Sequence, residues 1–199
     1  MKILSILVLT LSIATVTRSF SQLPENAEDI SPLLAGETFP DVEVTGTDAR
    51  AVSLLQIVKE KPTVVIFYRG GWCPYCNHHL AELAGIEDSV IAAGYQIVAI
   101  SPDDVAHEEA TAEKKGLHYR LFSDASGTLS RAVGIAFKAP ERYYKRLSDR
   151  SSGLNEGFLP VPSVFVLDTH GEILFEYINP NYKKRISGKL LLAVLRTLD

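Results

Sequence analysis

The sequence predicts an α/β domain with a mixed central β-sheet covered by helices on both faces. Residues 63–68, 95–100 and 163–168 are apolar without polar alternation, which suits strands buried on both sides. Segments with helical apolar spacing separate them. A turn at Thr169-His170-Gly171 folds the last of these strands into residues 172–178 as a hairpin, and an amphipathic helix follows.

Taken in order, residues 22–35 form a polar lead-in with Pro24 and Pro32, and residues 36–199 form one domain without linker, repeat or low-complexity tract. Residues 42–45 alternate like a strand, and Gly46-Thr47-Asp48 is a turn. Ser53 caps a short helix through about Glu60, which Lys61-Pro62 ends before the strand at 63–68. A helix then runs from the cysteine pair through Leu80, Leu83 and Ile86 to about Ala93, with Gly94 as its stop. After the strand at 95–100, Ser101-Pro102-Asp103 opens an exposed acidic helix that ends near Gly116. Residues 119–122 are a short strand, 126–133 a short helix, and 137–160 carry no clear pattern. Residues 187–198 close the chain as a helix. This order is that of a thioredoxin-like three-layer fold, with an N-terminal extension and added material before the third long strand.

Composition narrows the setting. Lys2 followed by apolar residues 3–16, then Ser19-Phe20-Ser21, has the form of an export signal cleaved before Gln22. The apolar run is shorter than the ~20 residues of a membrane-spanning helix. Residues 1–21 are thus expected to be a signal peptide, and the protein to be exported, periplasmic or secreted, with no membrane contact after cleavage. The full chain carries a net charge of −4; loss of Lys2 and Arg18 leaves 18 basic against 24 acidic residues, or −6. That balance argues against nucleic acid as a partner, and Lys183-Lys184-Arg185 is a solvated stretch near a helix start.

The chain has two cysteines, three apart in Trp72-Cys73-Pro74-Tyr75-Cys76. A domain of this size has a full hydrophobic core and needs no disulfide to hold it, so a lone close pair in an exported protein points to redox chemistry. Cys73 is placed at or near the cap of the helix and Pro74 at the first helical position, where its missing N–H costs nothing. Free N–H groups and the helix dipole lower a thiol pKa there, so Cys73 attacks and Cys76, one turn in, resolves. Three other readings compete. A structural disulfide would close a very short loop and constrain the unfolded chain little. Haem attachment requires a histidine where Asn77 stands. Metal binding has Cys73, Cys76, His78 and His79 to draw on, but adjacent helical residues point about 100° apart. Neither metal nor organic cofactor is expected.

Other residues flank the pair. Trp72 and Tyr75 are expected as partly exposed aromatics beside the sulfur, serving packing or substrate contact. Arg69 is a candidate to stabilise the Cys73 thiolate, with a surface ion pair as its alternative. Pro162 stands at the start of a buried strand, where proline is tolerated; in a thioredoxin-like arrangement it would be cis and face the cysteines.

The run Phe67-Tyr68-Arg69-Gly70-Gly71-Trp72-Cys73-Pro74-Tyr75-Cys76 resembles the signature of the peroxiredoxin-like branch of the alkyl hydroperoxide reductase/thiol-specific antioxidant family. The similarity continues in Ala99-Ile100-Ser101-Pro102-Asp103, Leu121-Phe122-Ser123-Asp124, Leu159-Pro160-Val161-Pro162, Val166-Leu167-Asp168 and Asn179-Pro180-Asn181-Tyr182. The resemblance implies a thioredoxin fold and peroxide reduction, with electrons from thioredoxin-like donors. Three family positions differ. The proline seven residues and the Thr or Ser three residues before the attacking Cys are Ile66 and Gly70, and the arginine before the last long strand is Pro162. The buried acid that thioredoxins place six residues before their first Cys is Phe67, so sequence identifies no proton acceptor for Cys76. Peroxide is the first expected electron acceptor, and protein disulfides on exported proteins are the second.

Overall fold

The structure is a computed structural model that describes residues 22–198; the expected signal peptide lies outside the described residues. Its elements are β1 (Glu43–Gly46), β2 (Ala51–Ser53), α1 (Leu54–Glu60), β3 (Thr63–Phe67), α2 (Pro74–Ala84), α3 (Glu87–Ala92), β4 (Gln96–Ser101) and α4 (Val105–Lys115). They continue with β5 (Arg120–Ser123), α5 (Thr128–Ala132), β6 (Ala136–Lys138), α6 (Tyr144–Arg150), β7 (Phe158–Pro160), β8 (Ser163–Leu167), β9 (Ile173–Ile178) and α7 (Gly188–Leu195). Seven strands form one sheet in the order β2-β1-β5-β4-β3-β8-β9, while β6 and β7 pair separately. β3 runs parallel to β4 and antiparallel to β8, so the sheet is mixed, as expected for a thioredoxin-like domain.

Strand alternation sends successive residues of β3 to opposite layers. Val64, Ile66 and Tyr68 pack on the layer that holds the cysteines, Leu80 and Leu83 of α2, Val90 of α3 and Leu191 and Leu195 of α7. Val65 and Phe67 pack on the other, with Ile57 and Val58 of α1, Leu129 of α5 and Phe165 of β8. There Phe67 and Phe165 meet edge to face at 6.0 Å. The site therefore sits where the central strand ends, rooted in the first of two continuous cores.

Several elements differ from the expectation. The helix expected from the cysteines to Ala93 is two: α2 stops at Gly85, and Ile86 leaves helical geometry at φ −116°, ψ 4° before α3 begins. The break turns Val90 into the core beside Leu83. Glu82, in the last turn of α2, accepts the Gly188 N–H at 2.7 Å and so anchors the start of α7. The helix expected to be exposed and acidic, α4, buries Glu108 completely, and its N-cap is Asp104. The unpatterned segment holds β6, a 3-10 turn at Glu141–Tyr143, α6 and β7. Together they form a flap whose small core of Ala139, Leu147 and Leu159 rests against Trp72. Residues of the N-terminal lead-in lie against the domain: Pro24 O accepts the Lys138 N–H at 2.8 Å, and the Leu33 N–H donates to Val133 O at 3.2 Å.

Candidate active site

β3 ends at Phe67, and the Tyr68 N–H still donates to Ile100 O at 3.0 Å, so the loop 69–73 leaves the sheet at a fixed point. Gly70 takes φ +123°, where a Cβ would stand 2.5 Å from Trp72 Nε1 and 2.7 Å from Asp103 Oδ1. A Cβ on Gly71 would stand 2.0 Å from Thr111 Oγ1 of α4. Gly70 lets the loop fold closely against Trp72 and Asp103, and Gly71 lets it press against α4, as no other residue could. The loop is also tied from both sides. Asp103 Oδ2 accepts the Gly71 N–H and Asn77 Nδ2 donates to Gly71 O, each at 2.8 Å. Asn77, the residue in the haem-histidine position, thus has a positioning role.

Cys73 is the N-cap of α2 and Pro74 opens its first turn, as the sequence indicated. Both thiols are free and buried, with Cys73 only 1% exposed. The Cys73 thiol is lowered to about 6. Hydrogen bonding from the Cys76 thiol is the largest cause; burial opposes it, and the Arg69 and Arg185 charges lower it further. The Cys76 thiol goes the other way, raised by burial and by its bond to Cys73, while Arg185 draws it down. The surroundings thereby favour the thiolate at Cys73 and the protonated thiol at Cys76.

Arg69 is not in a surface ion pair. It is buried among three rings, with its guanidinium carbon 4.2 Å from the Tyr182 centroid, 4.9 Å from Tyr143 and 5.2 Å from Trp72. Aromatic faces hold a cation without neutralising it, so its charge still acts on Cys73. Trp72 is half-buried and packs on Tyr143 at 5.4 Å, while Tyr75 is 42% exposed and meets Tyr182 edge-on at 5.7 Å. Beside this cage lies a cavity of about 420 Å³ lined by Arg69, Phe137, Tyr143, Pro160, Pro162 and Tyr182 among others.

Pro162 lines that cavity, but the peptide bonds among the described residues are all trans, Val161–Pro162 included. The cis form of a thioredoxin-like arrangement is not adopted. The Val161 N–H donates to Ile135 O at 2.8 Å and Pro162 O accepts from the Asn179 N–H at 3.4 Å, which keeps the chain extended from β7 into β8.

The sequence did not single out three contributors. Arg185, in a stretch expected to be solvated, places Nη2 3.5 Å from Cys76 Sγ. Tyr143 and Tyr182 complete the cage; the Asn179-Pro180-Asn181-Tyr182 run was the only signal for the latter. His79, three residues after Cys76 and so on the same helix face, is buried, and its Nε2 has no partner. His78 is exposed, so the neighbouring imidazoles diverge. Behind the loop, Glu108 accepts hydrogen bonds from the Tyr68 hydroxyl and from Ser101 Oγ.

A buried dithiol of this kind, with its first sulfur at a helix N-cap beyond a central strand, defines a thiol-based oxidoreductase of thioredoxin fold. Residues 35–175 match the AhpC/TSA family, and the chain belongs to that family. Among curated relatives, a putative chloroplastic peroxiredoxin Q of Oryza sativa subsp. indica is 26% identical over 163 residues, covering 82% of this chain and 67% of that protein. A putative peroxiredoxin of Mycobacterium tuberculosis is 28% identical over 167 residues, 82% of this chain and 96% of its own. Among solved structures, peroxidoxin BcpB of M. tuberculosis superposes with a TM-score of 0.68 at 23% identity, covering 84% of this chain and 99% of that one. Reduced Prx3 of Vibrio vulnificus, solved with hydrogen peroxide, gives 0.71 at 17% identity over 83% and 97%. The chain is a peroxiredoxin-like thiol oxidoreductase.

Proposed function

We propose that this protein reduces peroxides with Cys73 as the attacking thiol and Cys76 as the resolving one. The observation that carries the reading is an almost wholly buried thiol at the N-cap of α2, with the caged Arg69 nearby and Arg185 at the neighbouring Cys76, surroundings that lower its pKa. A peroxide needs only a few atoms of access, whereas a protein disulfide must bring a neighbouring backbone to the sulfur. In the first step the Cys73 thiolate attacks the distal peroxide oxygen; the O–O bond breaks, the alkoxide or hydroxide takes a proton, and Cys73 becomes a sulfenic acid. Cys76 then attacks the Cys73 sulfur, the S–S bond forms, and hydroxide leaves to become water with a proton. A thioredoxin-like dithiol donor restores both thiols by exchange through a mixed disulfide.

Gly70 and Pro162 bring no side-chain hydrogen-bond donor to the peroxide. The Arg69 charge, held in its aromatic cage at the cavity wall, stabilises the thiolate in their place. Stopped-flow oxidation of the reduced protein by hydrogen peroxide and by an organic hydroperoxide tests this reading. Oxidation of Cys73 at least about a hundredfold faster than a free thiolate supports it. A rate equal to that of a free thiolate, with brisk reduction of insulin disulfides, overturns it in favour of protein dithiol–disulfide exchange.

We also propose that the protein acts in the periplasm or beyond; the charge and apolar pattern of residues 1–21 support export. Fractionation with N-terminal sequencing checks this: a mature chain starting at Gln22 outside the cytoplasm is expected, and an intact Met1 in the cytoplasm rejects it.

A further inference from the structure

We propose that Arg185 is a catalytic residue of the second half-reaction, holding the Cys76 sulfur as a thiolate while it attacks oxidised Cys73. This rests on the assignment of Cys76 as the resolving cysteine. The difficulty it solves is physical. Cys76 is buried one helical turn from the N-cap, where ionisation is opposed by desolvation, and no carboxylate stands within reach in the thioredoxin position, which is Phe67.

Arg185 meets that need by geometry. Its Nη2 lies 3.5 Å from Cys76 Sγ, while Nη1 donates to Lys184 O at 2.8 Å and to Tyr182 O. Two backbone carbonyls thus aim the guanidinium fork at the sulfur. None of the ion pairs within 4.0 Å among the described residues involves Arg185, so no carboxylate spends its charge.

The other groups around Cys76 do less. Arg69 reaches it through its backbone and keeps its guanidinium within the aromatic cage. Cys73, once oxidised, carries no charge to repel the incoming thiolate. His79 is buried and uncharged at neutral pH, with Nε2 unpartnered, so it brings no competing cation. Arg185 is the group that touches the reacting atom and bears a free charge.

In the step itself, the Cys76 thiolate donates its electron pair to the Cys73 sulfur, the S–S bond forms and the S–O bond breaks. Cys76 is oxidised and the sulfenic acid reduced; the proton that the Cys76 thiol loses to solvent on ionising is balanced by the one the departing hydroxide takes up to become water. Arg185 gives up no proton. It stabilises the thiolate before the attack and is released from it once the disulfide has formed.

The test separates the two half-reactions. Reduced wild-type, Arg185→Gln and Arg185→Lys proteins are mixed with hydrogen peroxide at pH 8, where the Cys73 thiol is already ionised, and Trp72 fluorescence follows oxidation and disulfide formation as successive phases. The same proteins are also treated with dithiobis-nitrobenzoate, which loads Cys73 directly; release of the second chromophore then reports attack by Cys76 without any peroxide. In Arg185→Gln both readings of the Cys76 step are expected to slow at least about tenfold, with the first phase changed less than about threefold. The pH midpoint of the Cys76 step should rise, and Arg185→Lys should recover part of the rate. An unchanged Cys76 step, or equal slowing of both phases, overturns the proposal. Failure of peroxide to oxidise Cys73 would instead count against the peroxidase reading, because the chromophore release stands without it.

Discussion

Arg150 grips Asp103 through two parallel hydrogen bonds, Nε to Oδ1 at 3.0 Å and Nη2 to Oδ2 at 2.8 Å, and Oδ2 also accepts the Gly71 N–H at 2.8 Å. The ion pair links the flap helix α6 to the loop that carries Cys73, so flap and thiol are positioned by one carboxylate. Removing the cation leaves a buried, uncompensated acid. Arg150→Met is therefore expected to lose about 2–4 kcal/mol of stability in urea unfolding. It should also slow Cys73 oxidation by loosening the Gly71 anchor. Full stability in Arg150→Met would remove Asp103 from its positioning role.

The Arg69 cage makes a second prediction. Arg69→Met keeps the apolar bulk between Tyr182, Tyr143 and Trp72 but removes the charge. The Cys73 thiol, now lowered to about 6, should then titrate closer to an ordinary thiol. Thiolate absorbance measured across pH reads this directly. Oxidation below neutral pH should slow about tenfold and converge with wild type in alkaline buffer, since the thiolate fraction is what changes. Cys76→Ala should raise the Cys73 value further than Arg69→Met does, because the Cys76 hydrogen bond is the larger cause.

His79 predicts the acid side of the stability curve. Burial, aided by the Arg185 charge, lowers its imidazole to about 4, against about 6.5 in the unfolded chain. Between those values the unfolded chain binds a proton that the folded chain refuses, so stability falls as pH drops through that window. The loss amounts to about 3 kcal/mol when complete. His79→Leu should flatten the melting temperature between pH 4 and 6.5, and an unchanged slope in that variant would assign the acid sensitivity elsewhere.

The legible parts of this chain are those whose signal is local. Residues 63–68 announce a buried strand because both of its faces meet apolar layers, and Pro74 fixes the start of α2 by its own backbone geometry. β2 escaped notice because three residues, Ala51–Ser53, give alternation no length to show itself. The break at Ile86 escaped because its apolar side chain continues the helical pattern across it. Glu108 and Arg185 are harder cases. Each is a charged residue in a polar run, and the partners that decide its fate, Tyr68 and Ser101 for one and Cys76 for the other, lie far away in sequence. Only Asn77 carried a local signal that was half right: its position excluded haem, but its bond to Gly71 depends on the loop's path.

Gly70 gives the last prediction, because it stands where the family places a Thr or Ser to hold the peroxide. Restoring the hydroxyl with Gly70→Thr looks like an improvement on sequence grounds. The structure argues the reverse. At φ +123° a β-branched residue is strained, and the new Cβ would fall 2.5 Å from Trp72 Nε1 and 2.7 Å from Asp103 Oδ1. Trp72 would have to leave its packing against Tyr143, and Asp103 its bond to Gly71, so the variant should lose at least about 2 kcal/mol. It should also oxidise more slowly with peroxide than wild type, not faster. Gly70→Ala separates strain from chemistry, since it brings the Cβ without the hydroxyl and should lose nearly as much stability. A Gly70→Thr protein of wild-type stability and faster peroxide turnover would show that the loop accommodates the family's arrangement after all.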